Sequence, residues 1–201
     1  MTPESPALVQ LPKGNRVYLT FDDGPDARWT PRILDILAKA QARATFFVVG
    51  RQARGQAALV RRIAAQGHEI GNHTWSHRHP WTMLSSDARR EVRDGAAAIA
   101  DILGYGPRFF RPPHGCLRRC MIEEARALGQ AVVLWSLSAV DWGVLGTAAG
   151  VAARLDAVQD GDIVLMHDGR GLINRPWQTA SVLPVFLDGL RQRGLRAERL
   201  D

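Results

Sequence analysis

Seven short apolar runs punctuate the chain, at 16–21, 44–49, 68–71, 108–111, 131–136, 162–166 and 195–198, each of strand length. Between most of them the apolar positions recur with helical period, over 31–40, 57–66, 87–103, 117–128, 147–158 and 178–193. The punctuation agrees with that division. Thr30 as N-cap and Pro31 at the first helical position open the first helix, and Gly67, Gly104, Gly129 and Gly194 stand just beyond the ends of four others. Pro184 has no N–H to donate and predicts a kink or break in the last helix. Residues 1–15 read as a loose N-terminal arm, and 16–201 as one domain.

Strand alternating with helix along the whole length implies βαβ units and a mainly parallel α/β sheet, either an open doubly wound sheet or a barrel. The pattern alone does not choose between them. In both architectures active residues gather at the carboxyl ends of strands, so a genuine site has to follow the runs above.

Composition fits one globular domain: 201 residues, 46% apolar and 23% charged. No 18-residue window escapes Arg, Asp, Glu, Gln or His, which predicts no transmembrane helix. The first residues carry no basic flank and too short an apolar stretch for a signal peptide, so a cytoplasmic location is expected unless the chain is a mature fragment. The net charge of +6 is spread along the chain without a basic arm or block, so a nucleic-acid partner is not expected. Cys116 and Cys120 suit neither a disulfide framework nor a two-pair zinc ribbon and are read as packing residues.

Polar clusters do follow the strand runs. Thr20-Phe21-Asp22-Asp23-Gly24-Pro25 sets two adjacent carboxylates after the first strand. Neighbouring strand side chains point to opposite faces, so both reach one pocket only where the strand ends and the backbone turns. A plain solvated turn fits these six residues equally well. His73 and His77 are four apart, a spacing that one turn of helix would bring to one face for a metal. With one Asp from another strand end they make a three-ligand set with a position left for water. His68 and His79 are alternatives. Arg111-Pro112-Pro113-His114-Gly115 gives a rigid loop with a cation at its mouth, or a structural turn. Asp141-Trp142 is either a core residue beside a cap or a sugar-stacking wall, and His167, alone, reads as a buried structural histidine.

Together, in order, Thr20 to Pro25, His73-Thr74-Trp75-Ser76-His77, Arg111 to Gly115, Asp141-Trp142 and Leu165-Met166-His167 resemble the five motifs of the polysaccharide deacetylase family, the NodB-homology group of carbohydrate esterases. The resemblance implies a distorted (β/α) barrel of seven or eight strands. It also implies hydrolytic removal of N-acetyl groups, with release of acetate, from oligo- or polysaccharides containing N-acetylglucosamine. By the same resemblance Asp23, His73 and His77 hold a divalent metal, zinc first, with cobalt or nickel as alternatives. Asp22 is then the general base, Arg111 its partner, His167 the acid that protonates the leaving amine and Asp141 its support. The backbone N–H of His114 meets the oxyanion, and Trp142 and Leu165 line the acetyl-methyl pocket. The chain departs from the family pattern at two places: His114 stands where Tyr is common, and Ser138 where a further Asp is frequent.

The competing expectations are an O-acetyl esterase of xylan type, an amidase for a non-carbohydrate metabolite, and a non-catalytic sugar-binding module on the same fold. Substrate specificity is expected from the loops 50–56, 78–86, 142–146 and 170–177.

Overall fold

The computed structural model describes residues 7–171 and 173–201. Eight strands, β1 (Arg16–Asp22), β2 (Thr45–Val48), β3 (Glu69–Asn72), β4 (Phe109–Phe110), β5 (Ala131–Val132), β6 (Leu137–Ser138), β7 (Ile163–His167) and β8 (Arg196–Glu198), form one sheet. They run in the spatial order β5-β4-β3-β2-β1-β7-β6, with β8 beside β1, and every pairing between them is parallel. β7 takes one edge of β1, while β8 and β2 share the other, β8 at Arg16 to Tyr18 and β2 at Thr20 to Asp22. The sheet curls into the distorted, incomplete barrel that the resemblance implied. Of the two architectures open to the bare pattern, the barrel is the one adopted.

β5 and β6 do not pair with each other. Between the end of β5 and the start of β7 lies the N-terminal segment. The Leu8 N–H donates to Val132 C=O, the Leu134 N–H to Leu8 C=O, and the Leu11 N–H to Gly161 C=O. From Leu8 onward the arm is therefore tied to the barrel through its backbone.

The crossovers are α1 (Trp29–Lys39), α2 (Gly50–Gly55), α3 (Ala57–Ala65), α4 (Ser85–Leu103), α5 (Arg119–Ala127), α6 (Ala148–Leu155) and α7 (Pro176–Gln192). Period-2 alternation decides which side chains meet them. Val17, Leu19 and Phe21 of β1 and Val164 and Met166 of β7 pack outward against Ile33, Leu34, Ile63, Leu155 and Leu183 of the helices. The alternate residues face the barrel interior, where Tyr18, Phe47 and Ile163 form a small apolar floor with Val133 and Leu200. Asp22 and His167 continue that inward row at the carboxyl ends of their strands.

Four local expectations are corrected. Thr30 is not the cap of α1 but its second residue; Arg28 stands at the N-cap with no side-chain cap bond, the Asp26 carboxylate accepts from the Arg28 and Trp29 N–H groups, and the Thr30 hydroxyl accepts from the Asp26 N–H. The stretch 50–56 is a short helix rather than a loop. The run 131–136 yields β5 only, and a separate strand, β6, follows it. Pro184 does not divide α7, which continues through it.

Candidate active site

Asp22 and Asp23 enter the same cleft because the strand ends between them. Asp22 closes β1 with its side chain inward, and Asp23 adopts a left-handed backbone, φ 70°, which turns its carboxylate to the same side. The turn is held from β7. Asp168 N–H and Gly169 N–H both donate to Asp22 C=O at 3.2 Å, and a Cβ on Gly24 or Gly169 would run into Asp168 or Asp23 respectively. Only glycine fits at either face of that contact.

His73 and His77 do come together, their ring centroids 4.9 Å apart, but not on a helical turn. Backbone groups of this segment bond outward instead: Gly50 N–H to Thr74 C=O, Arg51 N–H to Trp75 C=O, and Trp75 N–H to Glu91 C=O. Thr74 and His77 take left-handed φ values of 68° and 59°. Of the seven described non-glycine residues with positive φ, Asp23, Thr74, His77, His114 and Val140 all belong to the site segments.

Asp23 Oδ1 lies 3.3 Å from His73 Nε2 and 2.9 Å from His77 Nε2, yet neither approach has hydrogen-bond geometry, and this buried oxygen has no hydrogen-bond partner. One atom from each of the three residues, all within 4.8 Å of one another, forms a set able to hold a metal ion. His73 Nδ1 is engaged by the Arg111 carbonyl at 2.7 Å, which turns Nε2 toward the cluster. An orphaned buried carboxylate oxygen facing two imidazole nitrogens fits a divalent cation. Burial would push the Asp23 carboxyl up, but contact with His73 and His77 holds it well below the usual carboxylate range. His73 shows the converse, burial lowering it and Asp22 and Asp23 raising it further.

Arg111, fully buried, fixes Asp22. One of its nitrogens donates to both Asp22 Oδ1 and Thr20 Oγ1 at 2.7 Å, the others to Val133 C=O and Leu134 C=O. The guanidinium lies 4.1 Å from the Phe47 ring centroid. Burial lowers its pKa, and the Asp22 charge opposes that.

Across the cleft, Asp141 grips His167 twice, Oδ1 at 2.7 Å from Nδ1 and Oδ2 accepting the His167 N–H at 2.8 Å, while the Thr179 hydroxyl also donates to Oδ2. Burial alone would lower His167, but the Asp141 carboxylate wins and raises it to about 9. Its ring meets Trp142 edge-on at 5.3 Å. An imidazolium held by one nitrogen leaves the other free to donate into the cleft.

The cleft, of about 680 Å³, is lined by Asp22, Asp23, His73, His77, His114, Trp142, Leu165 and His167, together with Trp135, Arg51 and Asn174. His114 sits in a 3₁₀ turn, Pro113–Gly115, whose two bonds run from Gly115 N–H to Pro112 C=O and from Cys116 N–H to Pro113 C=O. The His114 N–H lies outside that pattern. Ser138 is used locally, its hydroxyl accepting the Val140 N–H. His68 and His79 lie outside the ligand cluster. His68 Nδ1 accepts the Ala44 N–H, and burial holds that imidazole down at about 4. His79 accepts from Trp81 N–H.

A sequence profile of the polysaccharide deacetylases matches residues 10–133. The chain belongs to the polysaccharide deacetylase family. It is 32% identical over 202 residues to the peptidoglycan-N-acetylglucosamine deacetylase PgdA of Listeria monocytogenes, covering 99% of this chain and 41% of that protein. The chain thus spans about two fifths of that relative's length. It is 40% identical over 154 residues to the chitooligosaccharide deacetylase of Sinorhizobium fredii, covering 76% of this chain and 72% of the relative. Among solved structures, the Bc1960 peptidoglycan N-acetylglucosamine deacetylase superposes with a TM-score of 0.87 at 33% identity, over 94% of this chain and 88% of that one. A family 4 carbohydrate esterase pseudoenzyme from Bacillus anthracis superposes with a TM-score of 0.84 at 25% identity, over 98% and 72%. Membership in this polysaccharide deacetylase family therefore does not by itself establish activity. The residues in the cleft have to carry that.

Several supporting residues lie beyond the motifs. Asn174 donates to Asp23 Oδ2 at 2.5 Å and to Gly169 C=O. Thr179 supports Asp141. Asp168 accepts the Thr30 hydroxyl beneath the β1 turn, and burial pushes its carboxyl up to about 7. Each is a common surface residue type whose partner is far away in sequence. Asn174 and Asp23, for example, are 151 residues apart, and no local signal marks either as a pair.

Proposed function

We propose that this chain is a metal-dependent deacetylase that removes N-acetyl groups from glycans containing N-acetylglucosamine and releases acetate. One observation carries the reading: an orphaned Asp23 oxygen converging with two imidazole nitrogens, in a cleft that also holds an Arg-fixed carboxylate and an Asp-fixed imidazole. Asp23, His73 and His77 would hold the cation, and an N,N,O donor set suits zinc, with cobalt and nickel accepted by the same donors. When bound, such a cation lowers the pKa of water and polarises an acyl carbonyl.

The chain's own groups supply the rest. Asp22, aimed by Arg111, accepts the proton of the attacking water. The His114 N–H donates to the carbonyl oxygen as negative charge builds on it. His167 passes its proton to the departing amine, so the C–N bond breaks with a neutral amine leaving, and Asp141 stabilises the imidazolium until then. Trp142 and Leu165, both on the cleft wall, offer the apolar surface that an acetyl methyl needs.

Acetate release from N-acetylglucosamine oligomers, acetylated xylan and acetylated small amides tests the reading. Release from the oligomers at the highest kcat/KM supports it. Release from xylan alone would instead identify an O-acetyl esterase, and from small amides alone an amidase.

A further inference from the structure

The two imidazoles of the proposed ligand set are anchored unequally. His73 is held through its ring, Nδ1 engaging the Arg111 carbonyl at 2.7 Å. His77 has no such anchor. Among the described residues no polar group bonds its Nδ1, and its ring rests against those of His73 and His114, with centroids 4.9 Å and 4.8 Å away. A ligating imidazole is ordinarily aimed by a partner on its second nitrogen. The aim of His77 therefore has to come from its backbone, which is left-handed at that residue.

That backbone is gripped from two sides. The Thr74 and Trp75 carbonyls accept the Gly50 and Arg51 N–H groups of α2, while the N–H groups of the loop turn the other way, toward α4. Glu91 C=O accepts the Trp75 N–H at 2.9 Å, Glu91 Oε2 accepts the Ser76 N–H at 2.8 Å, and Oε1 accepts the Ser76 hydroxyl at 2.6 Å. The His77 N–H closes the turn on Thr74 Oγ1 at 3.2 Å. One helical turn beyond Glu91, a Cβ on Gly95 would strike Asn72 Oδ1 and the Thr74 backbone, so α4 lies against this loop as closely as glycine permits. Glu91 is buried, and no cation pairs with it among the described residues. A buried carboxylate without a cation is costly, and both oxygens of this one go to Ser76.

Within the proposed ligand set, on which this inference rests, we infer that Glu91 is a positioning residue for His77. Acting through Ser76, it fixes the one ligand imidazole whose ring has no polar anchor of its own, and so sets how tightly the ion is held. Glu91 itself does not line the cleft. With its carboxylate gone, the Ser76 N–H and hydroxyl lose their acceptor, and the segment between the left-handed Thr74 and His77 is held at its ends alone.

The test is zinc affinity of the full chain by chelator competition, alongside the melting temperature of the metal-free protein. Glu91→Ala is expected to weaken zinc binding by about 10- to 100-fold. Ser76→Ala, which keeps the backbone N–H bond to Glu91, weakens it by about three- to tenfold. Glu91→Gln retains wild-type affinity, because its amide oxygen accepts the Ser76 N–H and its NH₂ donates to a Ser76 hydroxyl that has rotated. Val92→Ala, in the same helix with its side chain packed beside Ala88 and Phe110, lowers the melting temperature and leaves zinc affinity unchanged. At saturating zinc, Glu91→Ala recovers most of the wild-type kcat with KM unchanged. Wild-type zinc affinity in Glu91→Ala or in Ser76→Ala would overturn the inference, as would a loss in Glu91→Gln or Val92→Ala equal to that in Glu91→Ala. If the wild type binds no zinc, or His77→Ala binds it as tightly as the wild type, the ligand set itself fails, and the inference falls with it.

Discussion

Asp22 and His167 are register partners on adjacent parallel strands, the last residue of β1 beside the last residue of β7. Proposed base and proposed acid are therefore held at the spacing of neighbouring strands, about 4.8 Å, by the sheet itself. The third element of that ladder is Thr20 beside Leu165, two residues back on the same inward face, which supports Arg111 from one strand and lines the cleft from the other. Parallel pairing puts both chemical groups at the same end of the barrel without any loop having to place them.

Asp22→Asn keeps the shape of the side chain and its contact with Arg111 but loses the proton acceptor. The expected outcome is a kcat lower by about 10²- to 10⁴-fold, with metal content unchanged by elemental analysis. A variant that turns over at the wild-type rate would remove Asp22 from the role of base.

His167 carries a pH dependence whose sign follows from its raised pKa. The protonated form donates, so kcat is expected to fall as pH climbs through about 9. Asp141→Asn removes the charge that sustains the imidazolium and moves this alkaline limb to lower pH. Stability follows the same sign. The contribution of the His167–Asp141 pair is complete below the unfolded histidine value of about 6.5 and is lost as pH rises through about 9. Melting temperatures of wild type and His167→Gln across that window should converge at the alkaline end.

Arg111 is fully buried with Asp22 as its only carboxylate partner among the described residues. Arg111→Met leaves that carboxylate buried without its cation, an expected cost of about 3–5 kcal/mol in denaturant unfolding. Adding Asp22→Asn should recover part of the loss, since the second change removes the stranded charge. Additive losses would show the two side chains to be independent.

Asn174 holds the second oxygen of Asp23. Asn174→Ala is expected to weaken metal retention by about 10- to 100-fold in a chelator competition, with the fold intact by circular dichroism. Unchanged retention would make Asn174 a loop anchor only.

Much of this architecture is legible in the sequence because it rests on period and punctuation. All seven apolar runs contain strands, and the polar residues that follow them occur at the strand ends where a parallel sheet gathers its chemistry. What stays hidden depends on distant partners. The His73–His77 pair looks like a helical turn because i and i+4 coincide on a helix, but Glu91 and Gly50 claim its backbone groups first. Thr30 resembles an N-cap, yet it lies inside α1, the Trp29 N–H ahead of it goes to Asp26, and the Thr30 hydroxyl is drawn to Asp168, 138 residues away. β6 is two residues long and exists by pairing with β7, which no local propensity reports.

The most direct measurement is acetate release from N-acetylglucosamine oligomers alongside metal content, in wild type as purified, after chelation, after zinc is returned, and in His73→Ala. The account predicts one metal ion per chain, activity lost with the ion and restored with it, and neither bound metal nor acetate release in His73→Ala. Full activity in chelated protein shown to be metal-free, or one tightly held ion in His73→Ala, would contradict it.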